Sequence, residues 1–175
     1  MYLGQLAFIR GHLNVGVNLY REGDEEASAT HMKHPESEIY AALQPALEAR
    51  DAPGFAEQLA ALAVAVESGA PLAEVEAAYQ ALLQGITAAE QAVPDQNARL
   101  LGEVIVDLVS TAAAEYDIAV HDDLTLENAH EYQDALGFIR VAYDYLDRLA
   151  TVTADTSTVN AIREQLDLVH PVWSG

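Results

Sequence analysis

The sequence predicts an all-α protein, an antiparallel helical bundle with about four main helices plus shorter ones. Three observations predict it. Apolar residues recur at three- and four-residue spacing through almost the whole chain. No stretch alternates apolar and polar residues as a half-buried strand would. The breaks between periodic stretches are short, so neighbouring helices must turn back on one another. With 175 residues, 51% of them apolar, the chain is long enough to bury a core, and it reads as a single helical-bundle domain over residues 1–175.

The first stripe runs through Tyr2, Leu6, Ile9, Leu13, Val17 and Tyr20 and stops at Gly23. A second apolar row, Phe8, Val15 and Leu19, lies beside it and carries His12. The next helical stretch covers roughly Glu25 to His34. Pro35 suits the first position of a new helix, with Glu36 and Glu38 in its opening turn. That helix should run towards Arg50 with a bend at Pro45. After "DAPG" comes a helix carrying Phe55, Leu59, Leu62 and Val66, which "ESGAP" breaks. Leu72, Val75, Tyr79, Leu82, Ile86, Ala89 and Val93 form the following stripe, and Leu101, Val104, Leu108, Ala112 and Tyr116 the one after "VPD". Beyond "HDDLT" a helix should bury Tyr132, Leu136, Ile139, Tyr143 and Leu146. The last helix begins near Thr156 and carries Val159, Ile162, Leu166 and Val169.

Charge and composition exclude several function classes. Twenty-eight acidic residues stand against eight basic ones, for a formal charge of −20. Nucleic acid and anionic membrane would both be repelled. No apolar run is long enough to predict direct membrane insertion. The chain has no cysteine, which removes thiolate metal sites, disulfides and thiol nucleophiles together. Met1 is followed at once by an amphipathic stretch. The expected location is therefore periplasmic or exported if a leader was removed, and cytoplasmic otherwise. No nucleophile elbow and no His-Glu-x-x-His motif appears, so the chain is read as more like a non-enzyme.

Residues 35 to 120 hold none of the six histidines and are rich in alanine, glutamate and leucine, a scaffold composition. Four of the six fall in three places that could carry chemistry. His12, on a largely apolar helix, needs a hydrogen-bond partner or a metal to offset lost hydration. His31 and His34, three residues apart, share a helix face beside Glu36 and Glu38, and two such imidazoles can share an ion. Ordinary helix-junction chemistry explains the same residues, since a histidine suits a helix C-terminus and glutamates an N-terminus. Third, Glu127 and His130 form a Glu-x-x-His pair, the spacing carboxylate-bridged di-metal bundles use. Glu131 and Asp134 add like charges that a bound cation would relieve. A solvated acidic flank is the competing explanation. A ferritin-like oxidase would need a second Glu-x-x-His pair, and there is none. His121, with Asp122 and Asp123, sits in a loop where it could serve as a peripheral cation ligand, but the aspartates are expected simply to cap the next helix.

The segments "GHLNVG", "HMKHP" and "EYQDALGF" give the chain a likeness to imelysin-type proteins, helical bundles of the bacterial periplasm or envelope associated with iron uptake. That family's signature is Gly-x-His-x-x-Glu. Here Gly11 directly precedes His12 and no glutamate follows at the required spacing, so no family site carries over. The resemblance implies an iron-associated bundle.

The reading that follows is a metal-binding helical bundle handling iron or another transition metal. Its metal ligands are drawn from His12, His31, His34, Glu38, Glu127, His130 and Glu131, and the ion would join segments far apart in sequence. Imidazole and carboxylate together suit iron, zinc, copper or manganese. The partners expected are the metal ion and a membrane transporter or other protein. One alternative is a non-catalytic interaction module with an acidic surface; another is a carboxylate- and histidine-bridged metalloenzyme.

Overall fold

The computed structural model describes residues 2–34 and 39–173, without the side chains of Lys33 and His34. The chain is 81% helical. The described residues form eight α-helices and no strand. They run in the order α1 (Tyr2–Glu22), α2 (Glu25–His34), α3 (Tyr40–Glu48), α4 (Ala56–Glu67), α5 (Leu72–Glu90), α6 (Ala98–Ala119), α7 (Ala129–Val152) and α8 (Thr156–Val169). A 3-10 turn, His170–Trp173, follows α8. Four helices are long, namely α1, α5, α6 and α7, and the others are shorter, as the periodicity predicts. Two compact units result, Tyr2–Pro94 and the residues from Asp95 onward.

In the N-terminal unit α1 packs on α2, α3 and α5, and α4 packs on α2 and α5. Gly23 ends α1 at φ 88°, a left-handed conformation glycine adopts without a Cβ penalty. Asp24 then caps α2 by accepting the Ala27 amide at 3.0 Å. Two buried faces are unusually close. Gly85 on α5 lies so near Phe55 that a Cβ would stand 2.8 Å from the Phe55 Cβ. The Phe55 ring also meets Tyr40 edge-on at 4.8 Å, which brings α3 to the start of α4. Across α1 and α5, Arg10 holds Glu90 through two hydrogen bonds, at 3.1 and 3.2 Å. The Glu90 carboxylate is almost wholly buried.

The C-terminal unit is built on the α6–α7 hairpin, with α8 against α7. Asn97, Asn128 and Asp155 cap α6, α7 and α8 in turn. Asn128 accepts the amides of His130 and Glu131, while Asp123 binds Thr125 in the preceding loop. The cap of α7 is therefore the asparagine and not the aspartates the sequence suggests. The buried face of α7 is also turned from the expected one. Ile139 and Leu146 are buried as predicted, but Asp134, Ala135, Phe138, Val141 and Tyr145 join them, while Tyr132, Leu136 and Tyr143 are only half-buried. The tyrosines explain the turn, since each keeps its hydroxyl on a polar partner near the surface. Tyr132 donates to the Val172 carbonyl at 2.9 Å and accepts the Trp173 indole N–H on its own carbonyl at 3.0 Å. Tyr143 donates to Asp167 at 2.7 Å. Pro45 lies inside α3, which ends three residues later.

Replacing Arg10 with methionine leaves the Glu90 carboxylate buried without its cation. Losing one partner of a buried ion pair costs about 3 kcal/mol, and urea unfolding should show a loss of that order. A loss below about 0.5 kcal/mol, the scale of an exposed pair, would mean that the pair contributes little to α1–α5 packing.

Candidate functional site

A pair of imidazoles forms in the N-terminal unit and a histidine–carboxylate cluster in the C-terminal one. In the N-terminal unit the group begins at Gly16. A Cβ on Gly16 would stand 2.2 Å from the Met32 methyl, 3.2 Å from the His31 Cβ and 3.4 Å from the Ser28 carbonyl. With glycine at 16, the Met32 methyl and the His31 Cβ can both lie against α1. His12 stands one turn before Gly16 on the same helix face. The close crossing brings one ring nitrogen of His12 and one of His31 within 4.8 Å of each other. His31 is 0% exposed and His12 half-buried. Ser28, three residues before His31 on the same face of α2, is also fully buried, and its hydroxyl has no hydrogen-bond partner among the described residues. Burying a hydroxyl without a partner costs about 1–3 kcal/mol, so a polar ligand or water beside it would recover that energy.

The second group lies in the C-terminal unit, where the first turns of α7 meet the last turns of α6. His130 Nε2 stands 3.3 Å from an Asp134 carboxylate oxygen, one turn along the same helix. Asp134 is only 2% exposed. Glu115, from α6, hydrogen-bonds to Glu131 of α7. Burial, then that hydrogen bond, then the negative charges of Glu131 and Asp134 push the Glu115 carboxyl up to about 7. Near neutral pH the group therefore holds a proton that Glu115 donates to Glu131. A cation in its place would satisfy the same crowded oxygens.

His12 and His31 are thus brought together, and His130 and Glu131 fall into one carboxylate-rich group. Glu127 lies elsewhere. It precedes α7, in a loop pinned by a bridge between Val120 and Leu126, and binds His121 at 2.7 Å. The Glu-x-x-His spacing accordingly does not fall on one helix, because the capping residue Asn128 separates its two ends. The His34 side chain and Glu38 lie outside the described residues. Three contributors were not singled out as ligands from the sequence. Glu115 is one of many acids on a scaffold-like helix, and Ser28 is a small residue in a polar stretch. Asp134 was legible only as charge repulsion.

Residues 90–175 match the family model of the iron permease-associated 4-helix bundle domain. That range takes in all of the C-terminal helices, α6 to α8. The match supports a helical bundle associated with iron uptake and the context of a transporter partner. It lends the imelysin-type likeness no support of its own. No curated protein and no solved structure matches the chain. Among the described residues no helix is long and apolar enough to cross a membrane.

The Glu115 proton sets a pH dependence. A carboxyl whose folded value lies above its unfolded one binds more protons in the folded state, so stability falls as pH rises between the two. For metal-free protein the contribution of Glu115 should be fully present below about 4.5 and be lost as pH rises through about 7. Glu115→Gln keeps a donor for Glu131 and removes the titration. Melting temperatures of wild type and variant should converge near pH 4.5, and the variant should be the more stable at pH 8. Parallel pH profiles would contradict the assignment.

Proposed function

We propose that the protein binds a transition-metal ion, with iron as its cargo, and serves a membrane iron permease. The observation that carries this reading is the His12–His31 pair, two imidazoles drawn together where α2 crosses α1 over Gly16. A neutral imidazole is the commonest metal ligand and suits iron, zinc, copper and nickel. The orphaned Ser28 hydroxyl offers a hydrogen bond to a ligand or water on the ion, a contact that typically changes metal affinity 10–100-fold when removed.

The carboxylates of the C-terminal unit add to this. Asp134, held by His130, with Glu131 and Glu115 beside it, supplies the oxygen donors that harder cations favour. They belong to the range that matches an iron permease-associated bundle, which supports iron over the other candidate metals. Export to the periplasm would suit this role and is part of the proposal.

The second reading, an interaction module, is favoured by one specific feature, an apolar groove in the C-terminal unit. The two readings are compatible, since a carrier must also meet its permease.

Iron(II) titrated anaerobically into full-length protein against a colorimetric chelator tests the metal reading. His31→Ala and His12→Ala should each weaken iron at least about tenfold, and Ser28→Ala should lie between them and wild type. Both histidine variants should keep their helical circular dichroism without metal. If wild type fails to compete with the chelator, or if both histidine variants bind iron as it does, the reading is wrong.

A further inference from the structure

In the C-terminal unit α6 and α8 both rest on α7 and leave a groove of about 710 Å³ between them. Its walls are apolar. Gly102, Val106 and Val109 recur on α6, and Ile162, Leu166 and Val169 on α8, each set at three- and four-residue spacing. Leu166 is buried at the base, while Val106 at the lip is 63% exposed. Valine this exposed, facing a second apolar stripe across an open cleft, leaves a patch of the kind that marks an interaction site.

The contents of the groove set its occupant. No basic side chain lines it, and the two charged residues that do are Glu103 and Asp107, one turn apart on α6. Glu103 engages Arg99 only through an exposed pair at 2.9 Å, an interaction worth little and easily exchanged. The walls offer few polar groups converging on a point, as a small-molecule site would. They instead offer a trough along nine residues of α6, roughly 12 Å or two helical turns at 1.5 Å per residue. Paired stripes at helical spacing accept the ridge of a third helix.

Gly102 deepens the trough. A Cβ built there meets nothing within 4 Å. A glycine inside a helix is about 1 kcal/mol worse than alanine, and no neighbour at this position requires its small size. Its bare surface instead leaves the groove open at the first turn of the wall.

We propose that the groove between α6 and α8 docks an amphipathic helix of a partner protein, with an apolar ridge and lysine or arginine along its flank. The apolar ridge seats between Val106 and Ile162, and the basic flank lies along Glu103 and Asp107. The acidic chain, at −20 overall, speeds the encounter with such a helix and repels acidic ones. This docking surface is separate from the proposed ligands and stands whether or not the chain binds iron.

The test uses the full-length protein and a fluorescein-labelled leucine/lysine peptide of about 14 residues, roughly four helical turns, read by anisotropy. A leucine/glutamate peptide of the same pattern is the control for charge. Gly102→Leu adds an apolar side chain to the trough, starting from a Cβ that meets nothing within 4 Å, and leaves the charge unchanged. Val106→Arg places a like charge at the lip, and Glu57→Gln, at an exposed position of α4, makes the same charge change elsewhere. The expected result is binding of the basic peptide alone, weakened at least about tenfold, or 1.4 kcal/mol, by Gly102→Leu and Val106→Arg and left unchanged by Glu57→Gln. Melting curves should show Gly102→Leu at least as stable as wild type. Equal binding by all variants, binding of the acidic peptide, or no binding at all would overturn the proposal. So would a dimer seen by sedimentation in wild type and lost in Gly102→Leu, because the groove would then belong to a second copy.

Discussion

The close approach of α2 to α1 at Gly16 is the constraint on which the metal reading depends. With a side chain at that position, the Met32 methyl would have to swing away and the His31 Cβ to shift slightly. The crossing dehydrates an imidazole completely and strands a serine hydroxyl beside it. Purely structural packing would place apolar residues at such a crossing, since buried polar groups are tolerated only when satisfied. A bound ion with its water would give the hydroxyl a partner.

The C-terminal unit handles polarity differently. Its carboxylates lie at the α6–α7 seam and relieve their mutual repulsion by keeping a proton on Glu115. A cation bound there, as proposed, would compete with that proton for the same oxygens. The α6–α8 groove of the same unit is apolar with an acidic lip. The proposed ligands and the proposed docking groove use different residues of one small unit.

The helices were legible because their stripes are long and their stops strong. Gly23, "DAPG" and "ESGAP" all fall at real ends, and the α2 span is the one the sequence suggests. The face of α7 was not legible, because three tyrosines satisfy both an apolar and a polar criterion. Only the partners, Trp173, Val172 and Asp167, decide which of them turn outward. His31 was visible as a histidine in a suspicious junction, but its pairing with His12 rests on a glycine whose role is purely spatial. Glu127 was misleading because a three-residue spacing implies one helix face only if both residues are helical, and the cap falls between them. Glu115 left no signal at all, since one glutamate on a solvent-rich helix looks like any other until a second helix brings Glu131 against it.

The most direct test is X-ray absorption at the iron edge of full-length protein loaded with less than one equivalent of iron(II). The account predicts outer-shell scattering from imidazole ring carbons in wild type, and its reduction in His31→Ala. A spectrum described by oxygen ligands alone, and identical in the two proteins, would contradict the claim that the Gly16 crossing exists to bring two imidazoles to a metal.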